Sequence, residues 1–121
     1  MSIRREIGSY YDEVKAAFAS QNPEGLAKLF YPGIAKPMTF PQILDWARRF
    51  FSENQAIRFH IDKTEFEDMG PGRAVVRLTY RVTTAGGKGD FGGTEVDFLE
   101  KHGGWWVMTA WKKVSAPAPH D

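Results

Sequence analysis

The chain has 121 residues, 42% hydrophobic and 14% aromatic, enough apolar material for one domain with one core. Its 16 basic and 15 acidic side chains leave a formal net charge of +1, so the basic surface that nucleic acid or an anionic membrane would require is missing. With no cysteine, disulfides, thiol catalysis and thiolate metal sites are excluded together.

The N-terminal Met1-Ser2-Ile3-Arg4-Arg5-Glu6 has no apolar segment behind its arginines. No apolar run approaches the ~20 residues of a membrane span. A soluble, cytoplasmic protein is expected. Ile3, Ile7, Tyr10, Tyr11, Val14, Ala17 and Phe18 recur at steps of three and four, which predicts an amphipathic helix with Ser2 as its N-cap. Asn22-Pro23-Glu24 starts a second, short helix: Asn as cap, Pro at the first helical position, Glu near the positive end of the dipole. Leu26, Leu29 and Phe30 form its apolar side, and Pro32-Gly33 ends it. Residues 34–38 are expected to be irregular. Thr39-Phe40-Pro41-Gln42 then reads as a capping box. The third helix lines Phe40, Ile43, Leu44, Ala47, Phe50 and Phe51 on one side, with Trp46 at the border and Asp45, Arg48 and Arg49 on the wet side.

From Ala56 the period drops from near 3.6 to 2. Ile57, Phe59 and Ile61 alternate with Arg58, His60 and Asp62. After a Met69-Gly70-Pro71-Gly72 turn, Ala74, Val76, Leu78, Tyr80 and Val82 alternate with Val75, Arg77, Thr79, Arg81 and Thr83. A glycine-rich loop leads to a hairpin: one strand over 94–101, a His102-Gly103-Gly104 turn, and a second strand that carries three of the four tryptophans. Helices followed by strands predict an α+β fold, with three N-terminal helices on one face of a curved antiparallel sheet. Residues 1–114 are expected to form the single domain, and 115–121 a flexible tail. On the last strand, regular alternation puts Trp105, Val107 and Trp111 on one face and Trp106, Met108 and Ala110 on the other. A strand apolar on both faces needs cover on both. The helices are one cover. The other is expected to be a second copy of the chain, giving a homodimer through the β-sheet.

This order of elements resembles the nuclear transport factor 2-like (NTF2-like, SnoaL/ketosteroid isomerase-like, cystatin-like) superfamily. Residues 11–30, with the "Gly-Leu-x-x-Leu-Phe" second helix at 25–30, and the His102-Gly103-Gly104-Trp105-Trp106-Val107 turn are similar to the family's marks. The resemblance implies a cone-shaped pocket between helices and concave sheet, and a homodimer. It implies that Asp97 matches the acid on the penultimate strand that donates to substrate oxygen in ketosteroid isomerase. That enzyme's helix-1 tyrosine falls at Val14, with Tyr10 and Tyr11 one turn earlier. Its general-base aspartate falls near Lys36-Pro37-Met38, where no carboxylate stands, which argues against steroid isomerase activity. The motifs mark the fold and not the chemistry.

Asp97 and Glu95 alternate with Val96 and Phe98, and two registers follow. In one, Asp97 points into the cone, where an apolar environment would raise its pKa and let it donate a hydrogen bond or move a proton. In the other, Val96 and Phe98 point inward, while Glu95 and Asp97 pair with Arg77 and Arg81 on the outer face. The alternation favours the second register and the family resemblance the first. His60 and Asp62 share a face and could form a His-Asp base or be mere surface neighbours. No histidine pair has metal-ligand spacing. Gly87-Lys88-Gly89-Asp90-Phe91-Gly92 matches Gly-x-Gly-x-x-Gly in letters, but a strand pattern follows it where a dinucleotide site needs a helix. Aromatic residues, Trp105 among them, either wall a pocket for a flat apolar ligand or serve as core and interface. The candidate site comprises Asp97 as acid, with Tyr10, Tyr11, Val14, Phe18, Trp46, Phe50, Tyr80, Thr109 and Trp111 around a small apolar or aromatic molecule. No metal and no cofactor are expected. The alternatives for its use are an isomerase, dehydratase or cyclase, or a non-catalytic assembly domain.

Overall fold

A computed structural model describes residues 2–114; the expectation for 115–121 lies outside them. Helix α1 (Ile3–Ala19) starts at Ser2, whose hydroxyl accepts from the Arg5 N–H at 3.2 Å. Helix α2 (Pro23–Ala27) is capped by Asn22, which accepts from Gly25 N at 3.0 Å. Helix α3 (Phe40–Glu53) carries the capping box in full: Thr39 Oγ1 accepts from Gln42 N, and Gln42 Oε1 accepts from Thr39 N at 2.8 Å. Each cap satisfies donors that the first helical turn leaves without a partner. No helix among the described residues is long and apolar enough to cross a membrane.

Four strands follow: β1 (Arg58–Gly70), β2 (Arg73–Thr83), β3 (Phe91–His102) and β4 (Trp105–Lys113). They form one antiparallel sheet in sequence order. Pro71-Gly72 and Gly103-Gly104 close the two tight hairpins. Gly103 and Gly104 both have positive φ, at 56° and 85°, the conformation of a primed two-residue turn whose twist matches the strands. The longer β2–β3 connection holds the glycine-rich letters. It is a loop and not a nucleotide cradle: Asp90 Oδ1 accepts from Thr84 N at 2.7 Å, and β3 follows directly. At Gly92 an added Cβ would meet the Tyr80 carbonyl oxygen at 2.4 Å, so only glycine lets β3 pair with β2 there.

The helices lie on the concave face of the sheet, as the α+β cone requires. Ile7, Leu78, Leu99, Val76 and Val82 are almost completely buried there. On the convex face Arg81 holds Asp62 with two bonds of 2.9 and 3.1 Å, and Arg77 reaches Glu67 at 3.4 Å. Such exposed pairs contribute only ~0–1 kcal/mol each. Asp62 is therefore engaged by Arg81, while His60 Nε2 sits 3.0 Å from Thr83 Oγ1. The His60-Asp62 dyad does not form. The outer edge of β4 is blunted by the residues after α2. Tyr31 N donates to the Met108 carbonyl and Met108 N to the Leu29 carbonyl, each at 2.9 Å.

The β3–β4 ladder breaks once. Phe98 pairs with Ala110 and Leu99 with Met108, which leaves Thr109 as an extra residue. This bulge reverses the alternation expected for β4. Trp111, opposite Asp97, joins Met108 and Trp106 on the concave face. Trp105, Val107 and Ala110 lie on the convex one.

Candidate functional site

A cavity of about 400 Å³ lies between the helices and the concave face. Tyr11, Val14 and Phe18 reach it from α1, because steps of three and four bring them to one side of that helix. Ile43, Trp46 and Phe50 come from α3 by the same spacing, and Leu26, Phe30 and Met38 from α2 and its sequel. The sheet supplies alternate residues: Phe59 on β1, Leu78 and Tyr80 on β2, Phe91, Glu95 and Asp97 on β3, and Met108, Trp111 and Lys113 on β4. Of these, Phe91 and Lys113 are exposed and mark the solvent end.

The aromatic rings form connected layers. Trp46 and Phe50 stack at 5.0 Å between centroids and 8° between planes, and the edge of Phe91 meets both. Phe59 and Tyr80 stack at 5.3 Å and 4°. Phe18 touches Trp46, Phe51 and Phe59, and Phe30 touches Trp111. This wall binds an apolar body well but gives it little orientation.

Orientation comes from Asp97. Its residue is 0% exposed. The pairing of Val76 with Asp97 and of Leu78 with Glu95 places both carboxyls on the concave face. The alternative register, with Val96 and Phe98 inward, is thereby overturned: Arg77 and Arg81 take Glu67 and Asp62 instead. The Tyr11 hydroxyl donates to Asp97 Oδ2 at 2.6 Å, a length typical of a strong O–H···O bond. Asp97 Oδ1 is buried and has no hydrogen-bond partner in the described chain. Burial pushes the Asp97 carboxyl well above the usual carboxylate range, and neighbouring Glu95 pushes the same way; the Tyr11 bond opposes them. Burial, then the Asp97 charge, likewise lifts the Tyr11 phenol above its ordinary value. These effects favour the protonated form of Asp97 over the carboxylate. Because Oδ2 accepts the phenol proton, the acid's own proton belongs on Oδ1.

Two of the predicted site residues do not reach this cavity. Tyr10 is buried, but one residue along a helix is a 100° turn, and its hydroxyl donates to the Leu29 carbonyl at 2.8 Å. It fastens α1 to the end of α2. Thr109 is the bulge residue, and its hydroxyl donates to the Phe98 carbonyl at 3.2 Å. Trp105 is 72% exposed on the convex side. The phenol that the family resemblance placed at Val14 comes from Tyr11 instead; Val14 lines the wall beside it. Leu26, Phe30, Met38, Ile43, Phe59, Leu78, Phe91, Glu95, Met108 and Lys113 line the cavity without being among the candidates. Alternation could have found Phe59 and Leu78, which share the inward face of their strands; Met38 lies in irregular chain and carries no such signal. Among the described residues no group of three acidic or histidine side chains converges on a metal position.

Neither a family model nor a curated protein matches the chain. Solved structures do. A candidate dehydratase of the NTF2-like family from Streptomyces avermitilis superposes with a TM-score of 0.69 over 93% of this chain and 96% of that one, at 16% identity. A candidate scytalone dehydratase from Novosphingobium aromaticivorans gives 0.75 over 98% and 88%, at 15% identity. Bdellovibrio bacteriovorus Bd1075 gives 0.77 at 12% identity; there the match covers 93% of this chain but only 41% of the other. At these identities the likeness is one of fold, and the fold is the NTF2-like, cystatin-like one.

Proposed function

We propose that this chain of NTF2-like fold binds a small, largely apolar or aromatic molecule that carries one hydrogen-bond acceptor, with Asp97 donating to that acceptor. The observation that carries the reading is the buried Oδ1 of Asp97, without a partner, in an otherwise apolar wall. An unsatisfied buried polar group costs about 1–3 kcal/mol, and a ligand oxygen would remove that cost. Dehydratase names among the fold neighbours are compatible with such a ligand but belong to those proteins.

The test uses β-tetralone and tetralin, which share a bicyclic frame and differ by one carbonyl. Trp46 and Trp111 line the cavity, so intrinsic fluorescence reports binding. β-Tetralone should bind more tightly by about 0.5–1.5 kcal/mol, roughly two- to tenfold in Kd. Asp97→Asn should keep that preference, because the amide accepts from Tyr11 and donates as the neutral acid does. Asp97→Leu should abolish it. If neither compound alters fluorescence or the melting midpoint, the cavity is not a ligand site.

A second reading concerns the convex face. Near β1 and β2 it carries ion pairs, but near β3 and β4 it presents Phe98, 37% exposed, and Trp105 beside half-buried Val96 and Ala110. We infer that a second copy covers this end. Light scattering at micromolar concentration should give a dimer, and Phe98→Lys with Trp105→Lys should give a monomer. A monomeric parent chain removes the inference.

A further inference from the structure

The cover on the outer edge of β4 stops at Met108, and the edge beyond it is open. Met108 N–H and C=O both point away from β3, since they bond to the Leu29 carbonyl and the Tyr31 N–H. The ladder from Met108 back to Trp105 is regular. Antiparallel pairs alternate between bonded and non-bonded, so the Trp106 N–H and C=O point outward as well. Its ladder partner agrees: Lys101 N donates to the Gly72 carbonyl at 2.9 Å, on the β2 side. No backbone group of the described residues meets either Trp106 group from outside the sheet. Such an unpaired edge is a template for another chain.

This edge borders a second cavity of about 480 Å³, between α1, the end of α2 and the start of β4. Tyr11 faces the first cavity and Tyr10 this one. Glu6, Ser9 and Glu13 share its α1 wall by helical spacing. The Trp106 ring turns toward that wall, because its Nε1 donates to Glu6 Oε1 at 2.9 Å. Lys101 also holds Glu6, at 2.8 Å, whereas Glu13 takes part in no ion pair among the described residues. Lys28 stands at the α2 end of the lining.

We propose that this second cavity binds an extended peptide, which adds one residue of backbone to the β4 edge at Trp106 and lays a basic side chain against Glu13. In antiparallel pairing a single residue supplies both partners, its N–H to the Trp106 carbonyl and its C=O to the Trp106 N–H. Directly opposed residues point their side chains to the same face, and for Trp106 that is the face of α1 and its carboxylates. Residues 29–31 close the slot at Met108, and the Gly103-Gly104 turn closes it at the other end. Main-chain bonds therefore hold the peptide and charge selects its side chain.

Amide exchange in the free protein is the first check. The Trp106 amide should exchange roughly tenfold faster than that of Val107, which faces β3. Acetyl-Val-Arg-Val-amide is then titrated against the isotope-labelled chain, and the Trp106 backbone and indole N–H signals should shift and saturate. Methylating the arginine nitrogen of the peptide removes the donor to the Trp106 carbonyl and should weaken binding roughly two- to tenfold. Acetyl-Val-Glu-Val-amide should bind roughly fivefold more weakly than the arginine peptide. Glu13→Lys, at an exposed position of α1, should reverse that preference. A Trp106 amide as protected as Val107 in the dilute free chain shows the edge already paired and overturns the site. Protection that appears only as the protein is concentrated assigns the edge to a second copy and overturns the peptide. So does an arginine peptide that leaves the Trp106 signals in place, or one that binds equally well after methylation. An unchanged preference in Glu13→Lys overturns the basic side chain as its selected feature.

Discussion

Asp97→Asn should be more stable than the parent chain at pH 7 to 8, and the two should converge toward pH 4. Burial holds the native Asp97 carboxyl above its unfolded value of 3.8, so the folded chain keeps a proton that the unfolded chain releases. A group raised in this way gives its full stability below the unfolded value. That stability is lost as the pH rises toward the native one. The slope approaches about 1.4 kcal/mol per pH unit for one proton. Asparagine keeps the bond from Tyr11 and has no proton to release, so its curve lacks that slope. Glu6 and Asp62, both lowered by their cationic or hydrogen-bonding partners, lose stability in acid in either protein, and that loss cancels in the difference. Urea unfolding at several pH values, with the m-value checked for constancy, measures the difference directly. Parallel curves for the two proteins would mean that Asp97 is ionised in the native state, and the donor role assigned to it would fail with that result.

Phe18→Ala should cost about 3–5 kcal/mol, the range for removing a large aromatic side chain from a core. Phe18 is 5% exposed, and its ring meets Phe59 at 5.1 Å, Phe51 at 5.4 Å and Trp46 at 6.3 Å. These neighbours come from α3 and β1, so no single element can move in to fill the gap. The ring also lines the cavity. Its loss should therefore enlarge the space and raise affinity for a bulkier apolar ligand even as the fold weakens. Phe98→Ala is the control: the same atoms removed from the convex face should change the stability of the monomer by no more than about 0.5 kcal/mol. A Phe18→Ala chain within 1 kcal/mol of the parent, by the urea midpoint at unchanged m, would show that helices and sheet are not packed through this ring.

The site is partly legible in the sequence. Helix spacing gathers Tyr11, Val14 and Phe18, and a second helix gathers Trp46 and Phe50, so the aromatic wall is written in periodicity. Helical phase separates Tyr11 from Tyr10 only once the direction of the core is known, since both are buried and each donates a hydrogen bond. Thr109 and Trp111 alternate like any strand pair, and nothing in their letters announces a bulge between them.

The chain's own order of residues determined three capped helices, a change of period at Ala56, two glycine turns and an α+β layering, because caps, turns and amphipathic stripes act over a few neighbouring residues. Which face of β3 holds Asp97 was decided only in three dimensions. A strand with polar and apolar residues in strict alternation has two mirror-like ways to lie on a core, and a shift of one residue exchanges every side chain. The pairing of Val76 with Asp97 and the extra residue at Thr109 broke that tie, since long-range packing of β2 and β4 outweighs the local preference for burying Val96 and Phe98.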